Sequence, residues 1–240
     1  MHDASGKQGR FPMARSKFIP SGIKWTEGNE KLTKTSGGKY KVLGFGITAD
    51  ANFTDNNGQT INTCPSALAC KGVCYGKQGR YVMKNVANAR AHNIPLTLSP
   101  SFVSDAVHDL ENYARKGYNV VRVHDVGDFY NQAYLDSWYA IARAMPTMTF
   151  YAYTKSLNLD LWTNKPSNFQ LVQSLGGVYD KILDYSLPHS RIFSSEEGVQ
   201  AAGYVDGSDS DIPAIEGVTN IALVYHGTRK LTVAQSKYFA

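Results

Sequence analysis

The sequence has few cysteines and no long apolar run. Three cysteines occur in 240 residues, an odd number that cannot make a complete disulfide framework. No stretch approaches the ~18 consecutive apolar residues that span a bilayer, so no membrane partner is expected. The opening residues, MHDASGKQGRFPMARSK, are polar and basic and lack the apolar core of a secretory signal. The expected location is therefore the cytoplasm of the cell that makes the chain. A Walker A loop, an HExxH pair and a G-x-S-x-G turn are all missing. The GFG at residues 44–46 lacks the rest of a dinucleotide fingerprint.

What remains is an ordinary globular composition, with 42% hydrophobic residues and a net charge of +5. That share supports a core and argues against disorder. The basic residues gather near the start (Lys7, Arg10, Arg15, Lys17, Lys24) and again at Lys77, Arg80, Lys84 and Arg90. Such a balance suits a nucleic-acid or nucleotide partner. It suits a solvated surface equally well, because the charges form no single run.

Residues 1–38, ending in Ser36-Gly37-Gly38, read as an N-terminal arm, and residues 39–240 as one α/β domain. Strand-like runs occur at 40–47, 118–124, 148–154, 169–172, 191–193 and 220–225. Helical spacing occurs at 81–91 (ended by Pro95), at 102–113 and at 134–142. The segment 50–58 reads as turn chemistry, and Asp206 to Asp211 (DGSDSD) as a mobile acidic loop. Strands alternating with helices predict parallel βαβ units. The expected fold is a partial (β/α) barrel, or an open, curved, mostly parallel sheet, of about six strands.

The cysteines fall at Cys64, Cys70 and Cys74, a C-x5-C-x3-C spacing with Gly72 and Gly76 alongside. A short glycine-containing loop can turn three thiolates toward one point, and thiolates favour iron–sulfur clusters or zinc. Three readings stay open. A [4Fe-4S] cubane would keep one iron accessible. A Cys3His zinc site would recruit His92, His124 or His226. The third reading is free reduced thiols. The segment follows the first strand, so it is expected at the carboxyl edge of the sheet, where ligand chemistry collects.

Polar residues ending the other strands would face the same mouth. His124, Asp125 and Asp128 leave one strand, and that histidine with two carboxylates could bind a cofactor, ligate the cluster or move protons. Equally, Asp128 could cap the next helix and His124 make a buried hydrogen bond. Lys155 could meet a carboxylate or phosphate, or pair with Asp128. Ser174, Glu196 and His226 end later strands, and Tyr75 could stack on a base. The expected assignment is His124, Asp128, Lys155, Glu196 and His226 as catalytic groups, with Tyr75 and Ser174 binding a cofactor.

The runs CPSALACKGVCYGKQGRY, NVANAR, VRVHDVGDFYNQAYLDSW and FYAYTKS together resemble the phage and plasmid "gene product eighty-eight" domain family, over roughly residues 40–230. The strand-then-cysteine layout is similar to radical S-adenosylmethionine proteins. The resemblance implies a viral or mobile-element origin, a host cell carrying phage or plasmid, a [4Fe-4S] cluster and possibly S-adenosylmethionine. The chain departs from that layout in lacking C-x3-C-x2-C and a Gly-Gly-Glu after the second strand. The expected function is an iron–sulfur protein acting on a small molecule near the cluster, by radical, redox or Lewis-acid chemistry if it is an enzyme. The alternative is a non-catalytic metal module, [4Fe-4S] or zinc, that binds a protein or nucleic acid.

Overall fold

The computed structural model describes residues 18–225. The main strands are β1 (Val42–Phe45), β4 (Val120–Val123), β5 (Thr149–Thr154), β6 (Phe169–Ser174), β7 (His189–Phe193), β8 (Val205–Asp206) and β9 (Asn220–Val224). A hairpin, β2 (Asn52–Thr54) and β3 (Thr60–Asn62), lies outside the main sheet. The helices are α1 (Glu30–Thr35), α2 (Lys84–Thr97), α3 (Phe102–Arg115), α4 (Gln132–Ala144), α5 (Glu196–Ala202) and α6 (Ile212–Ile215).

Seven strands pair in the order β1-β4-β5-β6-β7-β9-β8, all parallel, and the sheet curls into an open half-barrel. The six strand-like runs of the sequence are all present. The seventh strand, β8, has two residues and is too short to show periodicity.

Alternation along each strand sends successive side chains to opposite faces. On one face Phe45, Val123 and Phe150 pack against Phe102, Leu135 and Trp138 of the crossover helices. On the concave face Val42, Val120, Tyr151 and Val172 meet Leu32 of α1 and Ala214 and Ile215 of α6. Helix α1 belongs to the segment expected to be an arm. Leu32 is fully buried, and Trp25 donates to Asp109 of α3.

Three local expectations need correcting. Pro95 lies inside α2 instead of ending it. A proline that close to the C-terminus removes one donor from a ladder that is already ending. The segment 50–58 holds the Asp55–Gly58 turn, where the Asp55 carboxylate accepts from Asn57 and Gln59, but strand β2 begins within it. The acidic loop is tied down, because Asp211 is fully buried.

Asp211 accepts from Arg122 Nη1 at 2.8 Å, Tyr151 Oη at 2.9 Å and Tyr153 Oη at 3.3 Å, and pairs with Lys31 at 2.9 Å. Its own N–H donates to Thr35 Oγ1 at 2.9 Å. Burial works against the charge, but Arg122 and Lys31 more than offset it and hold the carboxyl below its ordinary range. One carboxylate thus joins β4, β5, α1 and α6 across the concave face.

Removing it strands a buried guanidinium. Asp211→Ala is expected to destabilise by about 3–5 kcal/mol in urea unfolding. A joint Arg122→Met and Asp211→Leu change should recover most of that loss. A single-variant effect below about 1 kcal/mol would contradict this reading of the network.

Candidate functional site at the carboxyl edge

The first strand runs out through Gly46, which must be glycine for a local reason. A Cβ there would overlap the Asp125 carboxylate, which β4 delivers into that space. Asp125 forms an ion pair with Arg90 of α2, and its carbonyl oxygen accepts from the Tyr75 hydroxyl. Burial raises the Asp125 carboxyl despite the opposing pull of Arg90 and Arg122. The Arg90 guanidinium lies 4.6 Å from the centre of the Tyr81 ring.

Between β3 and α2 the chain forms three short 3-10 turns, Ala69–Gly72, Tyr75–Lys77 and Gly79–Val82. Backbone hydrogen bonds stitch this cysteine segment across the mouth. Leu68 and Ala69 donate to Gly176 O after β6, and Val178 donates back to Ser66 O. Thr63 accepts from the Asp128 N–H at 2.8 Å, fixing the segment's start to the loop after β4.

The three thiols are free and partly exposed. Cys64 Sγ accepts from the Asp50 N–H at 3.3 Å. Burial is the leading cause that raises all three, with Cys64 pushed up to about 12. Charge on a neighbouring thiol raises Cys64 and Cys74 further, so the sulfurs are neighbours. Lys155 pulls Cys70 part of the way back.

The metal centre expected from the spacing is not formed. Among the described residues, no three His, Cys, Asp or Glu side chains converge closely enough to hold a metal ion. With no such group among the described residues, the structure contradicts both the expected iron–sulfur protein and its metal-module alternative.

The other sequence-selected residues are distributed as follows. Asp128 is buried and accepts from Thr154 Oγ1 at 2.6 Å, the Lys155 N–H at 2.9 Å and the Phe129 N–H at 2.7 Å. Burial raises its carboxyl against those three hydrogen bonds. The cap of α4 is Asn131 instead. Lys155 Nζ turns to Ser174 Oγ and Leu175 O, both at 2.6 Å, which brings Lys155 and Ser174 together. Tyr75 has a half-exposed ring but an enclosed hydroxyl, whose pKa burial raises.

His124 is held apart from the mouth among Phe45, Phe129 and Trp138, with Nε2 2.8 Å from Tyr134 Oη. Glu196 is exposed in the first turn of α5. His92 is exposed, 3.0 Å from Gly22 O. His226 lies outside the described residues.

A cleft of about 320 Å³ opens beside the cysteine segment, walled by Thr48, Ala49, Gly76, Tyr81, Ala87 and Arg90. Thr48 Oγ1 and Arg90 Nε are buried without a protein partner. Sequence reasoning missed Arg90 and the ion pair that it forms with Asp125. The usable signal was Arg90 as the one charged residue of NVANAR.

The family model described as "Gene product 88" matches residues 23–238. The "Gene 88 protein" of Mycobacterium phage L5 is 33% identical over 104 residues, covering 39% of this chain and 43% of the relative. Its counterpart in Mycobacterium phage D29 is 30% identical over 122 residues, covering 45% of this chain and 50% of the relative. The chain thus spans about half the length, or less, of each of these phage proteins. No solved structure matches the chain. Among the described residues no helix is long and apolar enough to cross a membrane.

Two measurements check the site. A thiol titrating at about 12 is about a thousandfold less ionised near pH 8 than one at the ordinary 9.0. Iodoacetamide mapping should therefore label Cys64 slowest in the folded chain. Labelling of Cys64 as fast as in the urea-unfolded chain would refute its burial.

Burial also pushes His124 down to about 3 from the ordinary 6.5. Between those values the unfolded chain binds a proton that the folded chain refuses. Stability is therefore lost as pH falls through that window, by about 1.4 kcal/mol per pH unit for this group. His124→Asn should remove that slope, since asparagine tolerates the left-handed φ of 65° at this position. Equal slopes for both proteins in urea unfolding between about pH 6 and 4.5 would contradict it.

Proposed function

We propose, from the premise that the chain belongs to the Gene product 88 family, that it binds a small molecule in the cleft beside the cysteine segment. The observation that carries this reading is the cleft's position. It lies at the carboxyl edge of a parallel sheet, between the cysteine segment and α2, and ligands of such folds collect at that edge. Unpartnered buried polar atoms are rare in folded proteins, and two of the wall residues, Thr48 and Arg90, carry one each. Arg90 supplies an Nε donor that its ion pair with Asp125 leaves unused, while Ala49, Val82 and Ala87 supply apolar surface. A ligand joining an acidic group to a flat apolar body matches those walls. S-adenosylmethionine and ATP both have that form.

With neutral thiols and a lysine held by Ser174 and Leu175, the surroundings suit recognition better than nucleophilic attack. Asp50, drawn below its ordinary range by Lys77 and Lys71 against the opposing effect of burial, keeps the rim of the cleft charged.

Thermal unfolding with each of the two probes tests the reading. A probe at about a hundredfold its Kd should stabilise by about 2.7 kcal/mol, raising Tm by roughly 5–10 °C for a domain of this size. Ala87→Leu fills the cleft without deleting a hydrogen bond and should abolish the rise. No shift with either probe at about 1 mM, or a shift that survives Ala87→Leu, would overturn the proposal.

A further inference from the structure

From residue 56 to residue 104 the sequence contains no aspartate or glutamate, yet it carries Lys71, Lys77, Arg80, Lys84 and Arg90. Three of these cations are engaged. Arg90 is paired with Asp125, and Lys71 and Lys77 share Asp50 at 3.2 and 2.8 Å. Arg80 and Lys84 are exposed and form no ion pair with any described residue.

They sit on consecutive pieces of chain, the turn Gly79–Val82 and the first residue of α2, next to the turn Tyr75–Lys77. The same surface leaves Tyr75, Val82 and Met83 more than half exposed, at 52%, 61% and 53%. Tyr75 is held by its hydroxyl to the Asp125 carbonyl and braced edge-on by Tyr81, with ring centres 5.4 Å apart. The result is a half-exposed tyrosine, anchored at its hydroxyl end, beside unpaired cations, on a surface whose own chain segment has no carboxylate to repel an anion.

We propose that this face binds single-stranded nucleic acid, with Arg80 and Lys84 taking phosphates and the Tyr75 ring stacking on a base. Stacking on side-chain rings together with backbone neutralisation is how unpaired strands are held without sequence preference. Bases inside a duplex are already stacked and cannot use the ring. An acidic peptide would use the charges and leave the ring idle. The proposal is independent of the small-molecule reading, because Arg80, Lys84 and Tyr75 are outside the cleft wall.

Fluorescence anisotropy with labelled oligo(dT) and oligo(U) of about twenty nucleotides tests it at about 50 mM salt and upward. Affinity should fall as salt rises. The Arg80→Ala, Lys84→Ala double variant should reduce the log–log salt slope by about 1.4, the value for two single-strand phosphate contacts. Tyr75→Leu should weaken binding about five- to a hundredfold, and by more than Tyr75→Phe, which keeps the ring and loses only the hydroxyl that anchors it. Thermal melts of each variant separate lost binding from lost folding. Four results would each overturn the proposal: no binding at low salt, an unchanged slope in the double variant, equal affinity of Tyr75→Leu and Tyr75→Phe when both are folded, or a duplex or polyglutamate binding as tightly as the single strand.

Discussion

The carboxylate of Asp125 is the constraint on which the site depends. Because β1 is followed by a glycine at 46, the first turn after β4 can insert a carboxylate into the sheet edge. From there it grips Arg90 of α2, and its backbone carbonyl holds Tyr75 of the cysteine segment. One residue thus positions both walls of the cleft. A second glycine serves the same closure, since a Cβ at Gly76 would overlap Val126, the residue that follows Asp125. The ion pair is nearly dry, with Asp125 fully buried and Arg90 at 12% side-chain exposure. Losing either partner would therefore leave a costly orphan charge.

Two buried carboxylates divide the work of the half-barrel. Asp211 ties the concave face to α1 and α6 through Arg122 and Lys31. Asp128 ties the loop after β4 to the end of β5 through Thr154 and Lys155. Together they leave the carboxyl edge rigid and polar. The thiols there are neutral neighbours stitched in place by the backbone, not ligands gathered on one ion. The face beyond the cleft carries a different character, with cations unmatched by acids beside a half-exposed tyrosine.

The architecture was legible because it rests on periodicity. The runs at 118–124 and 148–154 are rich in β-branched and aromatic residues and bounded by glycine and proline, as buried parallel strands are. Strands β2, β3 and β8, of two or three residues each, are too short for that signal. The site was less legible, because it depends on contacts distant in sequence. Asp211 looks like one more solvated acid in DGSDSD, and only the fold brings it to Arg122, 89 residues away. His124 reads as a strand-end ligand. Its left-handed backbone turns it instead into an aromatic box facing away from the mouth. The cysteine spacing predicts a metal centre that the described residues do not form, because spacing alone does not fix where three sulfurs point.

The most direct measurement is hydrogen exchange on Gly46→Ala compared with the native chain. The added methyl must displace the Asp125 carboxylate and with it the hold on Arg90 and Tyr75. Amides from residue 64 to residue 83 should then exchange markedly faster, while those of β4, β5 and β6 keep their protection. Unchanged exchange in the cysteine segment would show that Asp125 does not fasten it, and the account of the site would fall with that result.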